Sequence, residues 1–188
     1  MTDTYFDKHP EPEARLALEL LGGASFRHAV VIPAFDENTS LLDDVFARVR
    51  SLAQTLVIVV VNVPEGASAD AATRTRKLLS SLTQHQRARQ VHQQISLGEC
   101  ERLEGSSLLL VDLCGEHRPA KRHGVGRARK AGCDIAYALR LHGQLASRWV
   151  HVTDADVALP SSYLDVEPQS DDVSCAIYPF THGERALA

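Results

Sequence analysis

The chain has 188 residues, of which 44% are hydrophobic and 23% charged, and its formal net charge is −4. This length and composition are those of one ordinary globular domain with a sizeable core. The net charge argues against a general affinity for nucleic acid, and the four cysteines lack the C-x-x-C spacing of a zinc site or a redox pair. No apolar run approaches the ~20 residues of a membrane helix, and the charged N-terminal stretch is not that of a signal peptide. We therefore expect a cytoplasmic protein without a membrane span, for which peripheral membrane contact stays open.

Strands and helices are predicted to alternate along the chain. Residues 1–27 are expected to form a loose lead-in and a short helix from Glu11 to Leu21, and residues 28–188 the main domain. Apolar runs predict strands at His28 to Ile32, ended by Pro33, at Leu56 to Val61, at Ser106 to Leu113, and at Val173 to Tyr178. A further strand from Trp149 is predicted because Val150 and Val152 alternate with His151 and Thr153. Helical spacing predicts helices from Leu41 to Leu52, from Asp70 to Leu82 with polar Gln84 to Gln94 continuing it or forming a second helix, and from Gly124 to about His142. The alternation predicts an α/β fold with a mostly parallel sheet flanked by helices.

Two aspartates directly follow the strand that begins at Trp149. In the stretch WVHVTDADVALP, Asp154 and Asp156 are one residue apart and stand where open α/β sheets keep their ligands. Two carboxylates there suit Mg²⁺ or Mn²⁺. The alternative is that they are only turn or N-cap residues, which is common for aspartate after a strand.

A cluster of cations precedes the helix that begins near Gly124. No acidic residue interrupts it, and its members are Arg118, Lys121, Arg122, Arg127, Arg129 and Lys130. Glycines, cations and a helix N-terminus together favour phosphate binding. The alternative is a solvated basic loop, and neither G-x-G-x-x-G nor G-x-x-x-x-G-K-[ST] occurs.

Four stretches taken in order resemble the nucleotide-sugar half of family 2 glycosyltransferases, which have the GT-A fold. They are VVIPAFDEN, VIVVVN, GVGRARKAGCDIA and WVHVTDADVALPSSYL, and they span about Ala29 to Tyr178. The resemblance implies transfer of a sugar, with inversion, from a UDP- or GDP-linked donor to an acceptor hydroxyl, assisted by Mn²⁺ or Mg²⁺.

The resemblance also implies roles for individual residues. Asp154 and Asp156 match the metal and diphosphate motif, with Asp156 as the direct ligand. The loop that lines the nucleotide pocket is matched by Pro33, Ala34, Phe35 and Glu37, and the segment near the diphosphate and sugar by Gly126, Arg127, Arg129 and Lys130. Asn62 stands where the family usually has an aspartate that reads the base or ribose, and an amide can still form hydrogen bonds there.

The chain departs from the family after the aspartates. Family members continue into an acceptor-side half with a Glu-Asp pair whose aspartate is the general base, and no such pair follows Asp156. We therefore expect a chain that is truncated at its C-terminus, and the resemblance assigns it no catalytic base.

Two other functions compete with sugar transfer. A sugar-phosphate nucleotidyltransferase would share the architecture and metal, but it needs a glycine-rich loop after the first strand, and Pro33 to Asn38 contains no glycine. A non-catalytic nucleotide-binding domain is the other alternative, since the general base is missing. Donor binding without transfer would support the latter.

Overall fold

The computed structural model describes residues 4–165 and 172–179. In chain order its elements are α1 (Thr4–Lys8), α2 (Pro12–Leu21), β1 (His28–Ala34), α3 (Leu41–Phe46), β2 (Thr55–Asn62), α4 (Ala69–Gln84), β3 (Gln86–His92), β4 (Ile95–Cys100), β5 (Ser107–Leu113), α5 (Gly124–Leu141) and β6 (Val150–Val152).

The six strands form one mixed sheet in the order β3-β4-β5-β2-β1-β6. Four adjacent strands, β5, β2, β1 and β6, are parallel to one another, with Ile58 of β2 beside Val31 of β1 and Leu109 of β5. The β3–β4 hairpin continues the sheet in antiparallel sense. The prediction of an α/β fold with a mostly parallel sheet flanked by helices is therefore confirmed.

Both faces of the central strands are buried, which explains their unbroken apolar runs. Val30 and Ile32 of β1 face a core cluster closed by α3 and α4. Ala29 and Val31 face the opposite cluster, which is closed by α2 and α5. The sheet thus lies between two helical layers. The loops that follow the parallel strands lie together at the edge formed by the carboxyl ends of those strands.

The prediction that Pro33 ends the first strand is wrong, because β1 continues to Ala34 and Pro33 pairs in register with Val60. Val31 accepts a hydrogen bond from the Thr153 amide on the β6 side of β1. Pro33 is two residues later and faces the same way, beyond the last β6 pair at Val152. Its missing amide hydrogen therefore costs the β1–β2 ladder nothing.

The predicted helix over Gln84 to Gln94 is also wrong, since this segment leads into β3 and the turn to β4. The turn carries no Asn-Gly or Asp-Gly signal, and Gln93 adopts the left-handed conformation with φ of 52°. Gly98 of β4 permits close pairing with β3, because an added Cβ would lie 2.7 Å from the Arg87 carbonyl oxygen. β3 is exposed and polar, which conceals a strand from hydrophobic periodicity.

Three smaller predictions also need correction. Within the expected loose lead-in, α1 is helical, and its Tyr5 hydroxyl donates to Asp134 Oδ1 at 2.8 Å. The helix expected from Leu41 to Leu52 ends at Phe46, and its N-cap is Ser40. Residues 173–178 are not a strand.

No helix in the described ranges is long and apolar enough to cross a membrane. All four cysteines have free thiols.

The close packing of α5 on β1 depends on Gly132. A Cβ added there would lie 2.3 Å from Val31 Cγ1, and Val31 is a stiff, fully buried side chain. We expect Gly132→Ala to lower the free energy of unfolding by about 1–3 kcal/mol through overpacking. Gly126→Ala is the control, because nothing lies within 4 Å of its added carbon. Urea unfolding midpoints measure both, and a Gly132→Ala midpoint equal to that of the control would contradict the packing.

Candidate functional site

The order of the parallel strands reverses at β1. From β1 the chain moves to β2 and then to β5 on one side, and α5 then carries it across to β6 on the other side. Ligands of open α/β sheets bind in the crevice at such a reversal, beyond the carboxyl ends of the strands. The loops after β1 and β6 border this crevice, and they carry Glu37 and the two predicted metal ligands.

The Asp-x-Asp spacing results from how the loop after β6 packs. Ala155 lies in the core, while Asp154 and Asp156 on either side of it are exposed. The loop is tied down at both ends, since the Thr153 amide donates to the Val31 carbonyl and the Leu159 amide to the Val45 carbonyl. Both carboxylates are thereby presented to solvent from an anchored backbone.

Glu37 joins the two aspartates. It is half-buried, and its pKa is raised first by burial and then by the negative charges of Asp156, Asp36 and Asp154. Glu37 therefore lies within electrostatic reach of both aspartates. The loops after β1 and β6 together form an acidic cluster of Glu37, Asp154 and Asp156.

The other predicted residues of the β1 loop are placed differently. Pro33 and Ala34 are buried within β1 and present no side chain to the crevice. Phe35 is half-buried at the start of the loop. Only Phe35 and Glu37 of the predicted set lie in the loop itself.

Asn62 ends β2 and is almost completely buried, with 1% of its surface exposed. Neither its Nδ2 nor its Oδ1 has a hydrogen-bond partner among the described residues. Its Nδ2 lies 3.5 Å from the position of a Cβ on Gly124, and Pro64 packs against the same glycine. A buried amide without partners costs about 1–3 kcal/mol, so a water or a ligand atom is expected beside it.

The cations of α5 are divided between its two sides. Arg127 Nη2 donates to both carboxylate oxygens of Glu13, at 2.9 and 2.8 Å, and its Nε lies 3.0 Å from Glu11 Oε2. Lys130 Nζ donates to Asp134 Oδ2 and to the His9 carbonyl oxygen, both at 2.6 Å. Two of the predicted diphosphate contacts are thus engaged by the N-terminal segment.

Arg129 faces the crevice instead. Its Nη2 donates to Asp154 Oδ1, and both side chains are substantially exposed. Gly126 is exposed on the first turn of α5. Of the predicted segment Gly126 to Lys130, the structure brings Arg129 to the acidic cluster.

The remaining cations lie in the exposed loop between β5 and α5. Arg118, Lys121 and Arg122 form no ion pair with another described residue. This loop is joined to the loop after β2, because the Glu65 amide donates to the Pro119 carbonyl oxygen and Lys121 packs on Gly66. Cys114 at the start of the loop is a buried thiol whose pKa is raised to about 12, so it is not a nucleophile.

The carboxylates of Asp154 and Asp156 suit a hard divalent cation that is also bound by the phosphates of a ligand. Within residues 4–165 and 172–179, no three His, Cys, Asp or Glu side chains are arranged to hold a metal by themselves. Mg²⁺ is usually bound through one or two carboxylates plus substrate phosphates and retains several waters. Asp154 and Asp156 fit that pattern, and a preformed all-protein cage is not required.

Comparison of the chain with protein-family models, with curated proteins and with solved structures found no match.

Sequence reasoning missed four residues that organise the site. Arg74 and Thr75 of α4 bind Asp36, and Glu13 and Asp134 bind the cations of α5. Each has a partner at least 38 positions away, apart from the Lys130–Asp134 pair. Only that pair, at i and i+4 on one helix, carries a signal in the sequence.

We expect Arg127 to stabilise the folded protein. Arg127→Ala leaves the carboxylate of Glu13, which is 1% exposed, without its main partner. Because breaking a buried ion pair from one side is costly, we expect a loss of roughly 3 kcal/mol in the free energy of unfolding. Arg129→Ala, two residues along the same helix, breaks an exposed pair and should cost less than about 1 kcal/mol. Equal losses in urea unfolding would contradict this division of roles.

The acidic cluster makes stability depend on pH. Because the pKa of Glu37 is raised on folding, the folded state binds this proton more tightly than the unfolded chain does. The resulting stability is present below the unfolded-state pKa of about 4.3 and is lost as the pH rises through the folded-state pKa. Metal-free Glu37→Gln should thus match the wild type at about pH 3, below the unfolded-state pKa. It should exceed the wild type at pH 7, by no more than about 1 kcal/mol because solvent screens a half-buried group. Denaturation across pH measures the difference, and exposed Glu104→Gln is the control.

Proposed function

We propose that this chain is the nucleotide-sugar-binding part of a divalent-metal-assisted glycosyltransferase of the GT-A type, similar to family 2. The reaction joins the oxygen of an acceptor hydroxyl to the anomeric carbon of the sugar, with inversion, while the bond to the diphosphate breaks and the nucleoside diphosphate leaves. The hydroxyl proton passes to a general base, which members of that family carry in their acceptor-side half.

One observation carries this proposal. Glu37, Asp154 and Asp156 come from two loops that are far apart in the chain, and Glu37 lies within electrostatic reach of both aspartates where the parallel strands reverse order. Mutual repulsion of three carboxylates opposes folding. Among the described residues, Arg129 forms an ion pair with Asp154, and no cation forms one with Glu37 or Asp156. An arrangement that is unfavourable without a ligand is typical of a binding site.

The charges of the crevice are arranged for a metal diphosphate. Asp154 and Asp156 would hold the metal, and a bound divalent cation neutralises charge that develops on a diphosphate leaving group. Arg129 lies beside these carboxylates and can exchange its bond to Asp154 for one to a phosphate oxygen. The exposed Arg118, Lys121 and Arg122 add positive potential at the same edge of the sheet.

The buried amide of Asn62 supports a nucleotide near β2. Its Nδ2 and Oδ1 have no partner among the described residues, and Nδ2 lies beside Gly124 at the first turn of α5. An amide can donate to and accept from a base or a ribose. Because Asn62 is almost completely buried, contact with a ligand requires the residues around it to move.

A non-catalytic nucleotide-binding domain is the second candidate. It is favoured by the ion pairs of Arg127 and Lys130 with Glu11 in the N-terminal segment. These pairs leave fewer cations of α5 to bind the diphosphate of a sugar donor. Slow hydrolysis of UDP- or GDP-linked sugars by the purified chain would favour the transferase, and binding without hydrolysis or transfer would favour this alternative.

The deciding experiment is calorimetric titration of the purified chain with UDP and with GDP, each with and without Mn²⁺. We expect one nucleotide to bind and Mn²⁺ to be required. Binding of neither nucleotide in the presence of Mn²⁺ would contradict the proposal.

Asp156→Asn tests the role of the acidic cluster. We expect it to weaken Mn²⁺-dependent nucleotide binding about 100-fold, which corresponds to about 2.7 kcal/mol, because it removes a charge that faces the metal. Asp165→Asn makes the same change at another exposed aspartate and should leave the affinity unchanged. An unchanged affinity in Asp156→Asn would remove the metal site from the proposal.

A further inference from the structure

We infer that Arg74 is a positioning residue, which holds the loop after β1 so that Glu37 faces the two aspartates. This inference rests on the proposed function. It goes beyond that function because Arg74 lies on α4, outside every stretch that carries the family resemblance.

Asp36 adopts an uncommon backbone conformation. Its φ is 61°, in the left-handed region that residues other than glycine rarely occupy. Such a conformation persists where the surroundings impose it. At Asp36 it turns the chain so that this carboxylate faces α4, while the neighbouring Glu37 lies toward Asp154 and Asp156.

Three hydrogen bonds between Asp36 and α4 stabilise this conformation. The guanidinium of Arg74 donates from Nε to Asp36 Oδ1 at 2.6 Å and from Nη2 to Oδ2 at 2.9 Å. The Asp36 amide donates to Thr75 Oγ1 at 2.9 Å, and that buried hydroxyl donates onward to the Ala71 carbonyl oxygen. Arg74 thus binds the side chain of Asp36, and the next residue of the helix, Thr75, binds its backbone amide.

Arg74 also keeps the charge of Asp36 away from the acidic cluster. It forms a two-pronged pair with this carboxylate, and the hydrogen bond holds the pKa of Asp36 below its usual range. Without Arg74, an unpaired fourth carboxylate would stand next to Glu37, on a loop that keeps only one hydrogen bond to α4, from the Asp36 amide to Thr75. The expected result is a disordered set of ligands for the metal nucleotide, not an unfolded protein.

A comparison with a second arginine separates positioning from stability. Arg74 and Asp36 are 58% and 33% exposed, and Arg87 and Glu101 on the β3–β4 hairpin form a similar surface pair at 69% and 37%. Removing either arginine should lower the Tm by no more than about 4 °C, because exposed pairs add little stability. Only the Arg74 pair contacts a loop of the crevice.

The experiment is titration of four variants with UDP and with GDP in the presence of Mn²⁺, together with thermal unfolding. We expect Arg74→Ala and Asp36→Asn to weaken binding of the nucleotide that the wild type prefers by roughly tenfold, because the ligands lose their fixed geometry. Asn tolerates the left-handed conformation, so Asp36→Asn removes the ion pair with little backbone strain. Arg74→Lys should lie between these variants and the wild type, since it keeps the charge but not the two-pronged bond, and Arg87→Ala should bind like the wild type.

Several outcomes would overturn the inference. Wild-type affinity in Arg74→Ala would show that the loop does not need this contact. Weak binding by Arg74→Ala with normal binding by Asp36→Asn would make Arg74 a direct ligand contact instead. A wild-type chain that binds neither nucleotide with Mn²⁺ overturns the proposed function and this inference with it, whereas the first two outcomes leave the proposed function intact.

Discussion

The reversal of strand order at β1 is the constraint on which the rest of the structure depends. A parallel pair of strands needs a crossover, and α3 and α4 make the two crossovers on one face of the sheet while α5 makes the third on the other. The loops after β1 and β6 consequently leave the sheet side by side with no helix between them. Every polar feature of the crevice follows from what these two loops and the neighbouring elements place there.

The central architecture could be predicted because its determinants are local. Unbroken apolar runs mark β1, β2 and β5, since both faces of each are covered. The Asp-x-Asp motif was located correctly after a strand because Val150 and Val152 alternate with His151 and Thr153, which is the period of two of a strand. Nearness of Glu37 to these aspartates follows from strand order, which alternation of elements suggests but does not determine.

The failures of prediction occurred where tertiary partners override local pattern. Glu13 is buried on α2, a helix whose other buried residues are apolar, because Arg127 and Gln94 bind its carboxylate there. β3 has no apolar face, so its sequence does not alternate between apolar and polar residues as strands usually do. Its hairpin turns at Gln93 without a glycine. Such features depend on residues distant in sequence, and no local signal encodes them.

The N-terminal segment determines which cation reaches the crevice. At about 100° per residue, Arg127 and Lys130 are only about 60° apart around the axis of α5, while Arg129 is about 160° from Arg127. The bond between Arg127 and the buried Glu13 therefore orients one side of the helix toward α2, and the opposite side, with Arg129, toward Asp154. Burying a charged pair adds little net stability, but it favours one orientation strongly, because any other leaves the buried Glu13 carboxylate without its cation. A rotation by a single residue would move Arg129 away from Asp154, so the placement of a cation in the crevice depends on a carboxylate on the far side of the helix.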